Sequence, residues 1–329
     1  MKKIARYTAL LAAIAMLFSC ETDFDVTAER KDVTVVYGLL NQQDTFSYIK
    51  VNKAFLGEGD ALLMAANPDS SYYPFEDIEV WLEEYSDGNF TGLAIPFDTI
   101  TIHDKEAGVF YYPDQVLYYA HTLGKLKQAN TYRVIVTNKK SGKIIYAETP
   151  LVSAFSIERP LWNPNNPVTG FNGTVPYSAN WYTAANGKRY EMVVRFNYYE
   201  TEFGSGDTAF KYLDWKFPVK KAETLSGGRL MEIKYDGAGF LGMIRNNIPA
   251  DPDMKRGIRM TDFIITVGAD ELNTYIEVNE PSSSLITERP EYSNIENGIG
   301  IFSARYQKKQ SYFLNVQTTT LIQDMDLGF

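Results

Sequence analysis

Hydrophobic side chains recur at every second position through much of this chain, and that period constrains the fold before any other feature does. Tyr190, Met192, Val194, Phe196 and Tyr198 alternate with Glu191, Arg195 and Asn197. Ile78, Val80 and Leu82 share one face while Glu79, Trp81 and Glu83 share the other. Tyr132, Val134 and Val136 oppose Arg133 and Thr137 in the same way. Successive side chains of a strand point to opposite faces, so the pattern specifies half-buried antiparallel strands. Asp87-Gly88, Ser141-Gly142, Asn186-Gly187 and Gly227-Gly228 supply turn residues that tolerate positive φ. Short strands punctuated in this manner predict β-sandwiches.

A length of 329 residues suits two domains. The first sandwich is expected over residues 33–150, closing with strands Tyr132–Asn138 and Lys143–Thr149. The segment from Arg159 to Pro167 holds three prolines and reads as a loop, and strands resume near Asn180. The second domain, 151–329, is more mixed. Gly239–Asn247 and Ala269–Val278 have the length of short helices, with Asp270 and Glu271 placed where a helix dipole favours acids. The polar stretch Asn279 to Asn297 reads as a long loop. The expected fold is therefore mainly β: two antiparallel sandwiches of immunoglobulin or fibronectin type, the second with short helical insertions.

The start of the chain bears on location. Lys2, Lys3 and Arg6 precede an apolar run from Thr8 to Phe18, the layout of a secretory signal over residues 1–19. Leu17-Phe18-Ser19-Cys20 resembles a bacterial lipobox, in which Cys20 is diacylated and becomes the new N-terminus; the other reading is a plain signal peptide beside a coincidental cysteine. Cys20 is the one cysteine in the chain, so no intramolecular disulfide can form in an exported protein. Acyl chains on Cys20 would anchor the protein to a bilayer, each buried methylene contributing about 0.8 kcal/mol. Residues 20–32 then form a linker. Its Glu21-Thr22-Asp23-Phe24-Asp25 resembles the acidic signal that sends Bacteroidota lipoproteins to the outer face of the outer membrane, and reads equally as a solvated spacer.

Two further stretches carry a family resemblance. Val36-Tyr37-Gly38-Leu39-Leu40, followed by Tyr48-Ile49-Lys50-Val51-Asn52-Lys53-Ala54-Phe55-Leu56-Gly57, resembles the opening of a Bacteroidota lipoprotein family, a domain of unknown function. Tyr292-Ser293-Asn294-Ile295 with Gly298-Ile299-Gly300-Ile301-Phe302-Ser303-Ala304-Arg305 is similar to its closing motif. The resemblance implies an outer-membrane lipoprotein, often encoded near TonB-dependent receptors, and it transfers no active site.

Signals for chemistry are sparse. A formal net charge of −9 argues against nucleic acid, which requires clustered Lys and Arg. His103 and His121 are the only histidines, with no HExxH pattern and no G-x-S-x-G elbow. Gly237-Ala238-Gly239-Phe240-Leu241-Gly242 matches a dinucleotide fingerprint after a strand-like Leu230–Tyr235, but Pro249 leaves too short a helix for a βαβ crossover, so these glycines are expected to serve a tight turn. Asp251-Pro252-Asp253 with Gly257 offers oxygens to a hard cation but is opposed by Lys255 and Arg256, and reads as a polar turn. No cofactor, metal or catalytic set is expected, although two carboxylates meeting in space would escape a sequence reading.

Aromatic content is the richer signal. The 23 tyrosines include several neighbouring pairs, and neighbours on a strand face opposite ways, which sends one outward. Exposed aromatics carry protein interfaces and stack on sugar rings. Tyr72, Tyr73 and Phe75, beside Pro74 in a turn-rich stretch, form the first candidate contact patch, and Trp162 in the proline-rich loop the second. Asp98-Thr99-Ile100 and Asp207-Thr208-Ala209 resemble the acceptor used for O-glycosylation of exported Bacteroidota proteins, which would need Thr99 and Thr208 to be accessible. The expected function is a lipid-anchored, non-enzymatic binding or accessory subunit for a TonB-dependent receptor or other envelope protein. A glycan-binding surface lipoprotein of a polysaccharide uptake system is the alternative.

Overall fold

The computed structural model describes residues 33–54, 61–108, 110–280 and 291–329. The expected signal peptide, Cys20, the acidic linker and residues 281–290 of the expected long loop lie outside the described residues. Strand accounts for 49% of the described residues and helix for 14%, so the protein is mainly β. The first half contains β1 (Val33–Leu40), β2 (Phe46–Ala54), β3 (Ile78–Ser86), β4 (Asn89–Pro96), β5 (Asp98–Ile102), β6 (Gln115–His121), β7 (Thr131–Asn138) and β8 (Lys143–Pro150). Two short helices, α1 (Ala61–Ala65) and α2 (Pro68–Ser71), follow β2. The second half contains β9 (Ile157–Arg159), β10 (Val168–Thr169), β11 (Pro176–Tyr182), β12 (Arg189–Glu202), β13 (Thr208–Lys216), β14 (Lys220–Lys221), β15 (Leu230–Asp236), β16 (Met254–Gly268) and β17 (Ile299–Leu314). Its helices are α3 (Gly237–Asn247), α4 (Asp270–Asn279) and α5 (Val316–Gln323).

The period-2 pattern does what strand geometry requires. Along β12, Tyr190, Met192, Val194, Phe196 and Tyr198 are buried while the residues between them are not. The same alternation buries Ile78, Val80 and Leu82 in β3 and Tyr132, Val134 and Val136 in β7. Asp87, Asn186, Gly88, Gly142, Gly227 and Gly228 all adopt positive φ at the turns that the sequence marks.

Three sheets result. β4-β3-β7-β8 form a four-stranded sheet and β15-β11-β9 a three-stranded one. A ten-stranded sheet runs β13-β12-β16-β17-β1-β2-β6-β5, with β10 and β14 off this path. Val36, Leu40, Ile49 and Val51 of the large sheet share a core with Val80, Leu82, Val134, Val136 and Ile145 of the four-stranded sheet. At the other end of the large sheet the core is aromatic. Phe171 stacks on Phe240 at 3.8 Å and lies parallel to Phe263 at 6.2 Å, while Trp181 of β11 meets Tyr190 of β12 at 6.1 Å.

Two features add to the expected organisation. Pairing is not wholly antiparallel: β1 and β10 both run parallel to β17. Nor does Pro150 divide the chain cleanly into 33–150 and 151–329. The 16-residue β17 pairs through Ile299–Ala304 with β1 and through Arg305–Tyr312 with β16, so the first sheet is completed by a strand from the far end of the chain. Local turn and composition signals mark where β8 ends, but they carry no information about a partner some 260 residues away.

The parallel seam depends on Gly300. Its φ is +121°, and a Cβ there would meet the Val36 carbonyl oxygen of the neighbouring strand. Asn294 supplies a local substitute for a strand partner: Phe302 N donates to Asn294 Oδ1 at 3.0 Å, and Asn294 Nδ2 donates to Phe302 O at 2.7 Å. We expect Gly300→Ala to destabilise the protein by about 3 kcal/mol or more, combining positive-φ strain with a backbone collision. Gly242→Ala, in α3 with open space around it, should instead stabilise by about 0.5–1 kcal/mol. Urea denaturation of the two variants tests the contrast; equal effects would remove the special role of the seam.

Candidate functional site

The outward face of β1 and β2 is where the site is built. Strand alternation sends Ser47, Ile49 and Val51 inward and leaves Lys50 and Asn52 on the opposite face. Register places Tyr37 directly across from Lys50, and Val35 across from Asn52. This face does not open straight to solvent. The segment carrying α1 and α2 returns over it, held by Asn52 Nδ2 donating to Ser71 O at 3.0 Å and Lys53 Nζ donating to Asp69 O at 2.6 Å. Thr34 and Tyr73 add a hydroxyl pair at 2.9 Å. The loop between β5 and β6 closes the other side, with Lys105 Nζ on the Tyr111 carbonyl at 2.5 Å and Tyr111 N on the Ala65 carbonyl at 2.9 Å.

These elements enclose two adjoining clefts. The inner one, about 470 Å³, is walled by Tyr37, Tyr72, Phe110 and Tyr111 and floored by Lys50, Lys53 and Lys105. The outer one, about 530 Å³, shares Lys53, Tyr72 and Tyr111 with it and adds Tyr73, Phe75 and the acids Asp69, Glu76 and Asp114. Clefts of a few hundred Å³ with apolar walls and a few polar groups are the usual form of small-molecule sites.

Charge in the inner cleft is one-sided. Among the described residues its lining holds three lysines and no carboxylate. Burial pulls the Lys50 ammonium below the ordinary lysine range, and the neighbouring Lys105 charge adds to this. Lys50 has one polar partner, Gln115 Oε1 at 3.3 Å. Tyr37 is pushed up to about 12 by burial and by its hydrogen bond with Tyr275 of α4, and Tyr72 is also raised, first by burial and then by Tyr111 and Asp114. Both phenols therefore stay neutral donors. Two polar atoms in the lining, Asn52 Oδ1 and Ser71 Oγ, are buried and have no hydrogen-bond partner.

The residues singled out from sequence separate here. Tyr72, Tyr73 and Phe75 come together, but as a wall of the clefts rather than a flat platform. Trp162 is exposed on the loop between β9 and β10 and is not part of that wall. Thr99 and Thr208 are both exposed, on β5 and β13, the opposite ends of the long sheet. Cys20 lies outside the described residues. His103 is exposed and bonds Asp114 at 2.6 Å, while His121 meets the Phe46 ring edge-on at 5.4 Å.

The glycine fingerprint has a different purpose from the expected tight turn. All three glycines lie in α3. A Cβ at Gly237 would meet the Phe171 backbone and one at Gly239 the Trp215 ring at 2.8 Å, so glycine permits the helix to pack closely. Asp236 caps α3, its carboxylate accepting from Gly239 N at 2.8 Å and filling the place that a phosphate would need. Asp251 Oδ1 accepts from Asp253 N at 3.0 Å, and Gly257 lies in β16 beneath the Tyr199 ring. Buried Glu84 and Glu200 are held by partners: Tyr132 at 2.7 Å for the first, Arg256 at 2.9 Å and Lys211 for the second.

Sequence reasoning missed a second aromatic group. Phe210 is 69% and Tyr212 57% exposed on β13, the edge of the long sheet, with Phe203 nearby in sequence and also exposed. Arg259 sits over Phe210 at 4.7 Å and Arg195 over Tyr212 at 4.0 Å. The alternation Phe210, Tyr212 within Thr208–Lys216 is the signal that marks it.

No family model and no curated protein sequence matches the chain. Solved structures similar to it include the C-terminal globular domain of an oligosaccharyltransferase from Pyrococcus abyssi, at 9% identity and a TM-score of 0.27, covering 71% of this chain and 47% of that one. A cytokine receptor complex is similar over 72% of this chain and 86% of its own, at 11% identity and a TM-score of 0.18. The N-terminal four immunoglobulin domains of Dscam1 align at 11% identity and a TM-score of 0.16, over 73% of this chain and 50% of that one. The chain spans about half the length of the first of these.

The lowered Lys50 makes a stability prediction. A lysine whose folded pKa lies below its unfolded value destabilises the fold fully at neutral pH, and the penalty is relieved as pH rises from the folded value toward about 10.5. Lys50→Met should therefore raise the urea midpoint at pH 7, with the difference from the unaltered protein shrinking toward pH 10. An unchanged or lowered midpoint at pH 7 would show that the Lys50 charge is already compensated.

Proposed function

We propose that this chain is a lipid-anchored protein of the bacterial outer membrane that binds its target without transforming it, acting as an accessory subunit for a TonB-dependent receptor or another envelope protein. The anchor is Cys20, and the resemblance of the opening and closing motifs to a Bacteroidota lipoprotein family supports that location. The observation that carries the accessory role is the β13 edge. Exposed Phe210 and Tyr212 stand there beside arginines, on a strand that ends the sheet order among the described residues. Aromatic and arginine side chains dominate the energetics of protein interfaces, and an open strand edge accepts a partner by backbone pairing.

A second reading, a glycan-binding lipoprotein of a polysaccharide uptake system, is favoured by the tyrosine-walled clefts beside Tyr72. The two readings are compatible in one molecule, since cleft and edge lie on different parts of the long sheet.

Cross-linking in native membranes followed by mild detergent isolation tests the accessory role. The unaltered chain should fractionate with the outer membrane and co-isolate an envelope receptor. Cys20→Ala should abolish membrane retention, and Phe210→Ala with Tyr212→Ala should cut receptor recovery by about tenfold while leaving the chain in the membrane. Recovery of the anchored protein with no envelope partner would overturn the proposal.

A further inference from the structure

We infer that the inner cleft is a binding site for a carboxylated saccharide, its carboxylate set against Lys50 and Lys105 and its ring against Tyr72 and Tyr111. The assignment deepens the binding role proposed above and rests on it. Four independent features of the cleft point to this class of ligand.

The first is charge. The chain carries a formal net charge of −9, yet the described lining of this cleft is wholly cationic among its charged groups. Lys50 and the neighbouring Lys105 charge disfavour one another, and low-dielectric walls intensify their field. An arriving anion removes that penalty, so the cleft binds anions in preference to neutral molecules. Lysine ammonium groups are compact point charges, which suit one carboxylate. The bidentate fork that arginine offers to phosphate is absent from the described lining.

The second is the walls. Tyr37, Tyr72, Phe110 and Tyr111 line the cleft, and the C–H face of a sugar packs against aromatic rings. The Tyr37 and Tyr111 hydroxyls already meet Tyr275 and Asp114, so the rings rather than the hydroxyls carry this part of the recognition. The third is unfilled hydrogen-bonding capacity. Ser71 is only 8% exposed, its Oγ has no partner, and Asn52 Oδ1 beside it is equally unpaired. Buried polar atoms are nearly always satisfied, so two orphans on residues of one lining mark unfilled hydrogen-bonding capacity in the cleft wall, which a sugar hydroxyl reaches through a small shift of Asn52 or Ser71.

The fourth is continuity. The inner cleft passes through Lys53, Tyr72 and Tyr111 into the outer one, where Asp69, Glu76 and Asp114 replace the lysines. Charge therefore changes sign along the path. An acidic residue fits at the inner end only, and the rest of the chain of sugars extends outward through its hydroxyls.

The test uses the full mature chain in mild detergent and calorimetric titration with short oligouronides of galacturonate, glucuronate and mannuronate, each beside a neutral oligosaccharide of equal length. At least one oligouronide should bind, its neutral counterpart should bind about tenfold more weakly or not at all, and about 0.5 M salt should weaken the acidic ligand selectively. Lys50→Gln with Lys105→Gln should cost about tenfold or more in affinity, and Lys50→Gln alone should weaken binding while the unfolding midpoint stays equal or rises. Tyr72→Ala should weaken binding to a similar degree. Equal affinity for acidic and neutral ligands would overturn the assignment of charge and leave the cleft a neutral glycan site. Silence toward every oligouronide, together with recovery of an envelope partner through β13, would overturn this inference and leave the accessory role standing.

Discussion

Everything in this architecture depends on the parallel pairing of β1 with the first six residues of β17. It joins the beginning of the described chain to its end, and it gives the four-stranded sheet a complete partner across the first core. It also lets one sheet of ten strands serve both sandwiches. The backbones approach closely enough that no side chain fits at Gly300, and Gly298 would likewise place a Cβ 2.7 Å from the Thr34 carbonyl. Residues 35–40 and 299–304 are the two partners in this seam. Their joint presence thus has a physical account: each is the surface on which the other folds.

Much of this was legible in the sequence and some was not, for reasons that differ by element. The strands around Val80, Val134 and Val194 are visible because one face of each is buried, and the period follows from that. Helix α3 is visible through its length before Pro249 and α4 through its acidic start, and the structure places them at Gly237–Asn247 and Asp270–Asn279. Parallel pairing was invisible, because Gly298 and Gly300 announce close approach without naming the strand approached. Helices α1 and α2 were missed as well. They are only five and four residues long, too short for a periodic pattern to develop.

The candidate site shows the same division. Tyr72, Tyr73 and Phe75 stood out because a proline beside three aromatics marks an irregular exposed stretch. Lys50 and Asn52 did not, since a polar side chain on the outer face of a strand ordinarily meets water, and neither did Lys105, which lies in the loop between β5 and β6. What changes their meaning is the lid formed by α1, α2 and the β5–β6 loop, which turns an outward face into a walled cavity. That enclosure is held by hydrogen bonds between side chains and distant backbone, such as Asn52 to Ser71 and Lys53 to Asp69. Such bonds leave no trace in local sequence.

The course of β17 has a mechanical consequence. Its first part pairs with β1 at the start of the described chain, and its second part is hydrogen-bonded to β16 on the side of the sheet that ends at β13. In a parallel pair, tension applied to the start of one strand and the finish of the other acts along the strands. A load between the start of β1 and the end of β17 therefore shears all six registers of the seam together instead of peeling them one by one.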